Sequence, residues 1–234
     1  MAGTIGQTRR GLLGRVAAGL VGWEAHGNRL LAETPDEKKG DEVSPPEDLM
    51  REHGVLKRVM MIYDEILRRL GGGGAVAPEP LADAARVIRQ FVEDYHEKLE
   101  EDHLFPRFEK AHRLTELVTV LREQHQAGRR LTDVVLAGVA PVSWKDGSTR
   151  DRVAAALRAF NRMYGPHEAR EDTVLFPAMR RVVSPHEFDA LGEEFERREN
   201  QLFGEDGFEK MVDRVAGIEK RLGIEELAQF TPKA

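Results

Sequence analysis

His96-x-x-x-Glu100-x-x-x-Leu104-Phe105-Pro106 and His167-x-x-x-Glu171-x-x-x-Leu175-Phe176-Pro177 are two copies of one pattern, set 71 positions apart. Two more histidines keep nearly the same offset. His53 and His125 stand 72 positions apart, each inside a Leu-x-x-x-His-x-x-x-x-Arg frame, Leu49 to Arg58 and Leu121 to Arg130. Residues i and i+4 of a helix share one face, so each His–Glu pair points to one side of its helix. With the pairs on a second and a fourth helix and the single histidines on a first and a third, six side chains surround one point. The repeat therefore predicts an all-α fold whose helices converge on a metal centre.

A lone His-x-x-x-Glu carries little weight, because eight histidines in a chain of about 12% Glu yield about one such pair by accident. His112 and Glu116 are that pair. They lack the Leu-Phe-Pro extension and a partner half, and are read as surface residues.

Composition removes several alternatives. The absence of cysteine excludes disulfides, thiolate zinc sites, Cys-ligated iron–sulfur clusters and a cysteine nucleophile. A net charge of −6, with 32% charged residues of both signs intermixed, describes an acidic solvated surface and not the clustered basic face of a nucleic-acid binder. No run of 18 apolar residues provides a membrane span.

The helices can be placed from their punctuation. Ser44-Pro45-Pro46-Glu47 predicts a capping box opening a helix of about 24 residues, which carries Leu49, His53, Leu56, Met60, Tyr63 and Leu67 and stops at Gly71 to Gly74. A second helix is expected from about Leu81 to near His112 and a third from about Leu114 to Ala137. After Pro141 and Asp146-Gly147, Ser148-x-x-Asp151 is read as the cap of a fourth helix reaching Val183. Ser184-Pro185-His186-Glu187 repeats the Ser-Pro-x-Glu start for a fifth helix, and Gly204 and Gly223 bracket a sixth. Pro106 and Pro177 are expected to kink or end their helices, with Phe105 and Phe176 in the core below the metal site.

Neutral imidazole suits iron, copper, nickel and zinc, and carboxylates bridge two ions, so four His and two Glu fit two closely spaced transition metals. Iron is expected for oxygen chemistry, with zinc or manganese as substitutes. Ferritin-like carboxylate bundles order the motif as Glu-x-x-His and add two further Glu. The reversed, His-rich order here argues against that class.

On these motifs the chain resembles hemerythrin-like proteins, those with an HHE cation-binding domain, over about residues 47 to 182. The resemblance implies an up-down-up-down four-helix bundle around a non-haem di-iron centre. His53, His96, His125 and His167 would be terminal ligands, with Glu100 and Glu171 as bridges. The oxygen-carrying hemerythrins add a fifth His one turn beyond the third-helix His, where this chain has Arg129. They also use an Asp, one residue farther along the fourth helix, in the role that falls here to Glu171. Both departures point away from reversible oxygen carriage and toward a more open or differently filled coordination sphere. His103, Glu97, Glu168, Tyr63, Tyr95 and Tyr164 are neighbours of ligating type, with supporting or core roles favoured; His26 and His186 fall outside the bundle.

The domain reading is therefore a bundle over 44–183, a C-terminal helical extension over 184–234 that covers it or forms a homodimer surface, and a linker over 23–43. Residues 1–22, with Arg9-Arg10 before a short apolar stretch, resemble a twin-arginine signal, so periplasmic or exported localisation is expected, with the cytoplasm as the alternative. The expected function is binding or reaction of the centre with O2 or peroxide, in sensing or detoxification. The alternative is a non-catalytic protein that binds or stores iron, O2 or NO.

Overall fold

The computed structural model describes residues 43–73 and 76–232. The twin-arginine stretch, His26 and all of the linker except Val43 lie outside the described residues. Four long helices form the bundle: α1, Pro45–Gly71; α2, residues 78–110; α3, Thr115–Gly138; and α4, residues 147–178. Short connections join them in an up-down-up-down order. They close a ring in which α1 packs on α2 and α4, and α3 on α2 and α4. No strand occurs among the described residues. The apolar stripes meet in one core, with Leu49, Val59, Ile62, Phe91, Phe108, Val118, Leu157 and Phe160 essentially inaccessible to solvent. Each such side chain contributes roughly 1.5–3 kcal/mol.

The ends of the helices follow local chemistry, with two departures from expectation. Ser44 has the extended backbone of a cap and Pro45 takes the first turn, yet the Ser44 side chain makes no capping hydrogen bond. α4 is capped by Asp146, which accepts from the Thr149 backbone N–H and hydroxyl, rather than by Ser148 and Asp151. α1 ends at the glycine run, where Gly73 adopts φ +70°. His112 sits in the α2–α3 turn at φ 50°, so it does not share a helix with Glu116.

Two further helices follow. α5, Pro185–Phe203, opens with the full Ser184–Glu187 capping box, and α6, Gly207–Leu222, ends at Gly223 with φ +64°. Both lie on the face formed by α1 and α2. Arg58 grips Glu219 of α6 through Nε and Nη2 at 2.8 and 2.5 Å, Arg69 donates to the Leu222 carbonyl, and Arg221 pairs with Asp83 at 2.7 Å. Arg58 is thus a docking residue and its repeat counterpart Arg130 is exposed, so the arginines of the duplicated frame have no common role.

Candidate metal centre

His53, His96, Glu100, His125, His167 and Glu171 are brought together in the middle of the bundle, all at most 4% exposed. The imidazoles meet in pairs. His53 and His96 approach to 3.1 Å between their Nε2 atoms, and the rings of His125 and His167 lie 5.1 Å apart between centroids. The carboxylates lie between the pairs: Glu171 is 3.3 Å from His53 Nε2 and 3.1 Å from His167 Nε2, and Glu100 is 3.4 Å from His125 Nε2 and 3.9 Å from His96 Nε2. Both oxygens of Glu100 and of Glu171, and Nε2 of His125, are buried without a hydrogen-bond partner. Such groups strongly disfavour burial unless a cation satisfies them.

Local helix geometry aims these groups. α2 opens into wide i→i+5 turns over Ile88–His96 and Glu100–Leu104, and α4 does so over Glu171–Leu175. The Phe105 N–H closes on the Glu100 carbonyl and the Phe176 N–H on that of Glu171, immediately before the prolines that can donate no further bond. Both helices therefore run through their Leu-Phe-Pro before ending. Phe105 stacks on His125 and Phe176 on His53, each at 5.5 Å and 23°, closing the centre with two aromatic faces.

Each imidazole is held from behind by a residue on another helix. His53 Nδ1 donates to Asp172 at 2.7 Å, His96 to Glu52 at 2.7 Å, His125 to Glu101 at 3.1 Å and His167 to Gln124 Oε1 at 2.8 Å. This arrangement fixes the tautomer and leaves every Nε2 facing inward. The four supports were missed in the sequence although they repeat with the ligands: Glu52 and Gln124 precede His53 and His125, and Glu101 and Asp172 follow Glu100 and Glu171.

The remaining candidates lie outside the centre. His103 is part-exposed, 4.0 Å from Glu194 and edge-on to Phe195 of α5. Glu168 is paired with Lys57 at 2.8 Å, and Glu97 with Arg129 at 2.8 Å and with the Tyr164 hydroxyl at 2.6 Å. Tyr95 donates to Glu52, whereas the buried Tyr63 hydroxyl makes no hydrogen bond. Donor atoms of Glu97, Glu101 and His125 lie within 4.8 Å of one another, but Arg129 reaches both carboxylates at 2.8 Å and already supplies a cation there. Arg129 therefore turns away from the centre, toward the acids of α2.

Burial and the charges within the centre set its protonation. Burial and the neighbouring His53 depress His96 to about 3, and burial depresses His125 to about 4, so both are neutral imidazoles. Burial also opposes charge on His53, but Asp172 and Glu171 outweigh it and raise it to about 9. Burial and the charge of Glu171 push Glu100 well above the carboxylate range. Glu171 would also be raised by burial, yet His167 and His53 hold it far below. Without a metal, the pair of adjacent carboxylates retains a proton that a divalent cation would replace.

The protein-family comparison matches residues 44–143 to the hemerythrin HHE cation-binding domain, a stretch that spans α1 to α3. The chain is also 53% identical over 190 residues to an uncharacterized protein of Mycobacterium bovis and to two of Mycobacterium tuberculosis, covering 81% of this chain and 74% of each relative. The chain belongs to the hemerythrin HHE cation-binding family. No solved structure matches it. In this hemerythrin-type bundle α4, which carries His167 and Glu171, lies beyond the matched stretch, and its place at the centre comes from the geometry above.

Gly128 of α3 shows how closely the hemerythrin-type core is fitted around the centre. A Cβ there would lie 2.0 Å from the Tyr164 hydroxyl and 2.8 Å from its ring. Gly128→Ala is expected to push the buried ring off Glu97 and lower unfolding free energy by about 1–3 kcal/mol. Tyr164→Phe in the same background should recover part of that loss; strictly additive losses in urea unfolding would rule the clash out.

Proposed function

We propose that this protein is a non-haem di-iron protein whose centre reacts with O2 or peroxide. His53 and His96 would hold one ion and His125 and His167 the other, with Glu100 and Glu171 shared between the two pairs. The observation that carries the reading is the convergence of four imidazole Nε2 atoms on two buried carboxylates whose four oxygens have no hydrogen-bond partner. Iron bound there supplies redox chemistry toward small oxygen species. Two imidazoles and the shared carboxylates would leave room at each ion for a small oxygen ligand, and the residue one turn beyond His125 does not fill it. Arg129 is engaged with Glu97 and Glu101 instead. The protein's part is to hold the imidazoles in one tautomer, to set the two carboxylates between them, and to cover the centre with Phe105 and Phe176.

The test is metal analysis of aerobically purified protein, followed by stopped-flow spectra of the reduced form mixed with O2 or peroxide. Two irons per chain, near-ultraviolet absorption and rapid oxidation are expected, with peroxide consumption lost in His53→Ala or His125→Ala. O2 bound for hours and released under vacuum would favour the binding and storage alternative, and a colourless di-zinc protein would overturn the iron assignment.

A further inference from the structure

The duplication gives the centre two halves that match at several contacts, although His96 stands 3.9 Å from Glu100 where His167 stands 3.1 Å from Glu171. The supports of His96 and His167 are 2.7 and 2.8 Å away, the carboxylate contacts of His53 and His125 are 3.3 and 3.4 Å, and the Phe stacks agree at 5.5 Å and 23°. Their chemistry differs. Behind His96 stands the Glu52 carboxylate, fixed by the Tyr95 hydroxyl at 2.9 Å, whereas the matching position behind His167 is the neutral amide of Gln124. The supports of the other two histidines differ as well. Glu101, behind His125, is shared with Arg129 at 2.8 Å and Lys98 at 3.2 Å, so cations offset the charge it lends to the imidazole. The repeat counterpart of Arg129 is Lys57, and it is engaged by Glu168, leaving Asp172 behind His53.

A carboxylate accepting from Nδ1 makes a charge-assisted bond and raises the donor strength of Nε2; an amide does so far less. Resting on the di-metal reading above, we infer that the two metal positions are inequivalent: the one under His53 and His96 loads first and binds more tightly, and the one under His125 and His167 loads last and exchanges first. Glu52 and Gln124 are the positioning residues that set the order. The exchange of acid and amide moves charge between the halves and leaves shape nearly unchanged, so the order of loading follows the acid or the amide when the two are exchanged.

The experiment titrates the metal-free full-length chain with Zn2+ at about pH 9.5, where a proton on His53 no longer competes with the ion, by calorimetry against a competing chelator, with NMR of the histidine rings. The parent should bind two equivalents in two steps separated by about tenfold to 100-fold, the first equivalent shifting the rings of His53 and His96. Glu52→Gln should weaken the first step, and Gln124→Glu should tighten the second by about tenfold. The exchanged pair, Glu52→Gln with Gln124→Glu, should send the first equivalent to His125 and His167. Both single substitutions are isosteric, and the exchange preserves total charge, so a merely structural role would not redirect the first ion. Two equivalents bound with equal affinity, or an order unchanged by the exchange, would overturn the inference while leaving the di-metal reading intact. Fewer than two equivalents in the parent would overturn that reading itself.

Discussion

Glu100→Gln is expected to leave the metal-free protein as stable as the parent and to remove most of the stabilisation that metal confers. In the metal-free centre burial and the charge of Glu171 keep the Glu100 carboxyl in its neutral form, which an amide imitates in shape and polarity. With metal present the same side chain must be an anion between two ions, and an amide is a poor substitute. At a free metal concentration 100 times Kd each occupied site adds about 2.7 kcal/mol, and a domain of this size gains about 2–4 °C per kcal/mol. The parent should therefore melt about 10–20 °C higher with both sites loaded than in chelator, a difference that Glu100→Gln largely abolishes. Glu171→Gln should behave differently. Glu171 is ionised against His167 and His53 even without metal, so its removal leaves a buried charge uncompensated and costs about 3–5 kcal/mol in both forms. Melting curves with and without chelator, beside metal content by mass spectrometry, separate the two. Full occupancy with an undiminished metal shift in Glu100→Gln would remove that residue from its place between the ions.

The contrast between these two glutamates marks what was legible in the sequence. The six centre residues could be read because they are of ligating type and occur twice, and because i and i+4 on a helix share a face whatever the helix packs against. The four supports escaped for a reason of the same geometry. Glu52, Gln124, Glu101 and Asp172 each adjoin a centre residue, and the adjacent position on a helix points about 100° away. In a four-helix ring that direction leads to the neighbouring helix, where each support meets a histidine of another segment. Their repetition carried the signal, but their role depends on contacts between helices. The repeated arginines Arg58 and Arg130 diverge in role, whereas the positions just before them, Lys57 and Arg129, both serve buried acids, Glu168 and Glu97. The wide turns of α2 and α4 were also hidden. A proline late in a helix announces a lost hydrogen bond but not that the preceding turn expands to absorb it.

Raising pH from 6.5 to 9 is expected to weaken the metal-free fold while tightening metal binding. His53 is held at about 9 in the folded protein by Asp172 and Glu171, against 6.5 when unfolded. Its contribution is thus complete below pH 6.5 and is lost as pH rises through 9, a change of about 3 kcal/mol at 1.36 kcal/mol per pH unit. Glu100, pushed up by burial and by the charge of Glu171, acts in the same direction. His96 and His125, depressed to about 3 and 4, exert their opposite effect below pH 6.5 and do not interfere in this window. Metal binding reverses the balance, because the ions need His53 neutral and Glu100 ionised. Every proton released on binding makes the apparent affinity rise about tenfold per pH unit, so His53 alone demands that slope up to pH 9. Melting temperatures in chelator and Zn2+ affinities at pH 6.5, 7.5 and 9 should accordingly run in opposite directions. A metal-free melting temperature that stays flat across the window, or binding that releases less than one proton per chain in buffers of different ionisation enthalpy, would show that His53 is not protonated between Asp172 and Glu171.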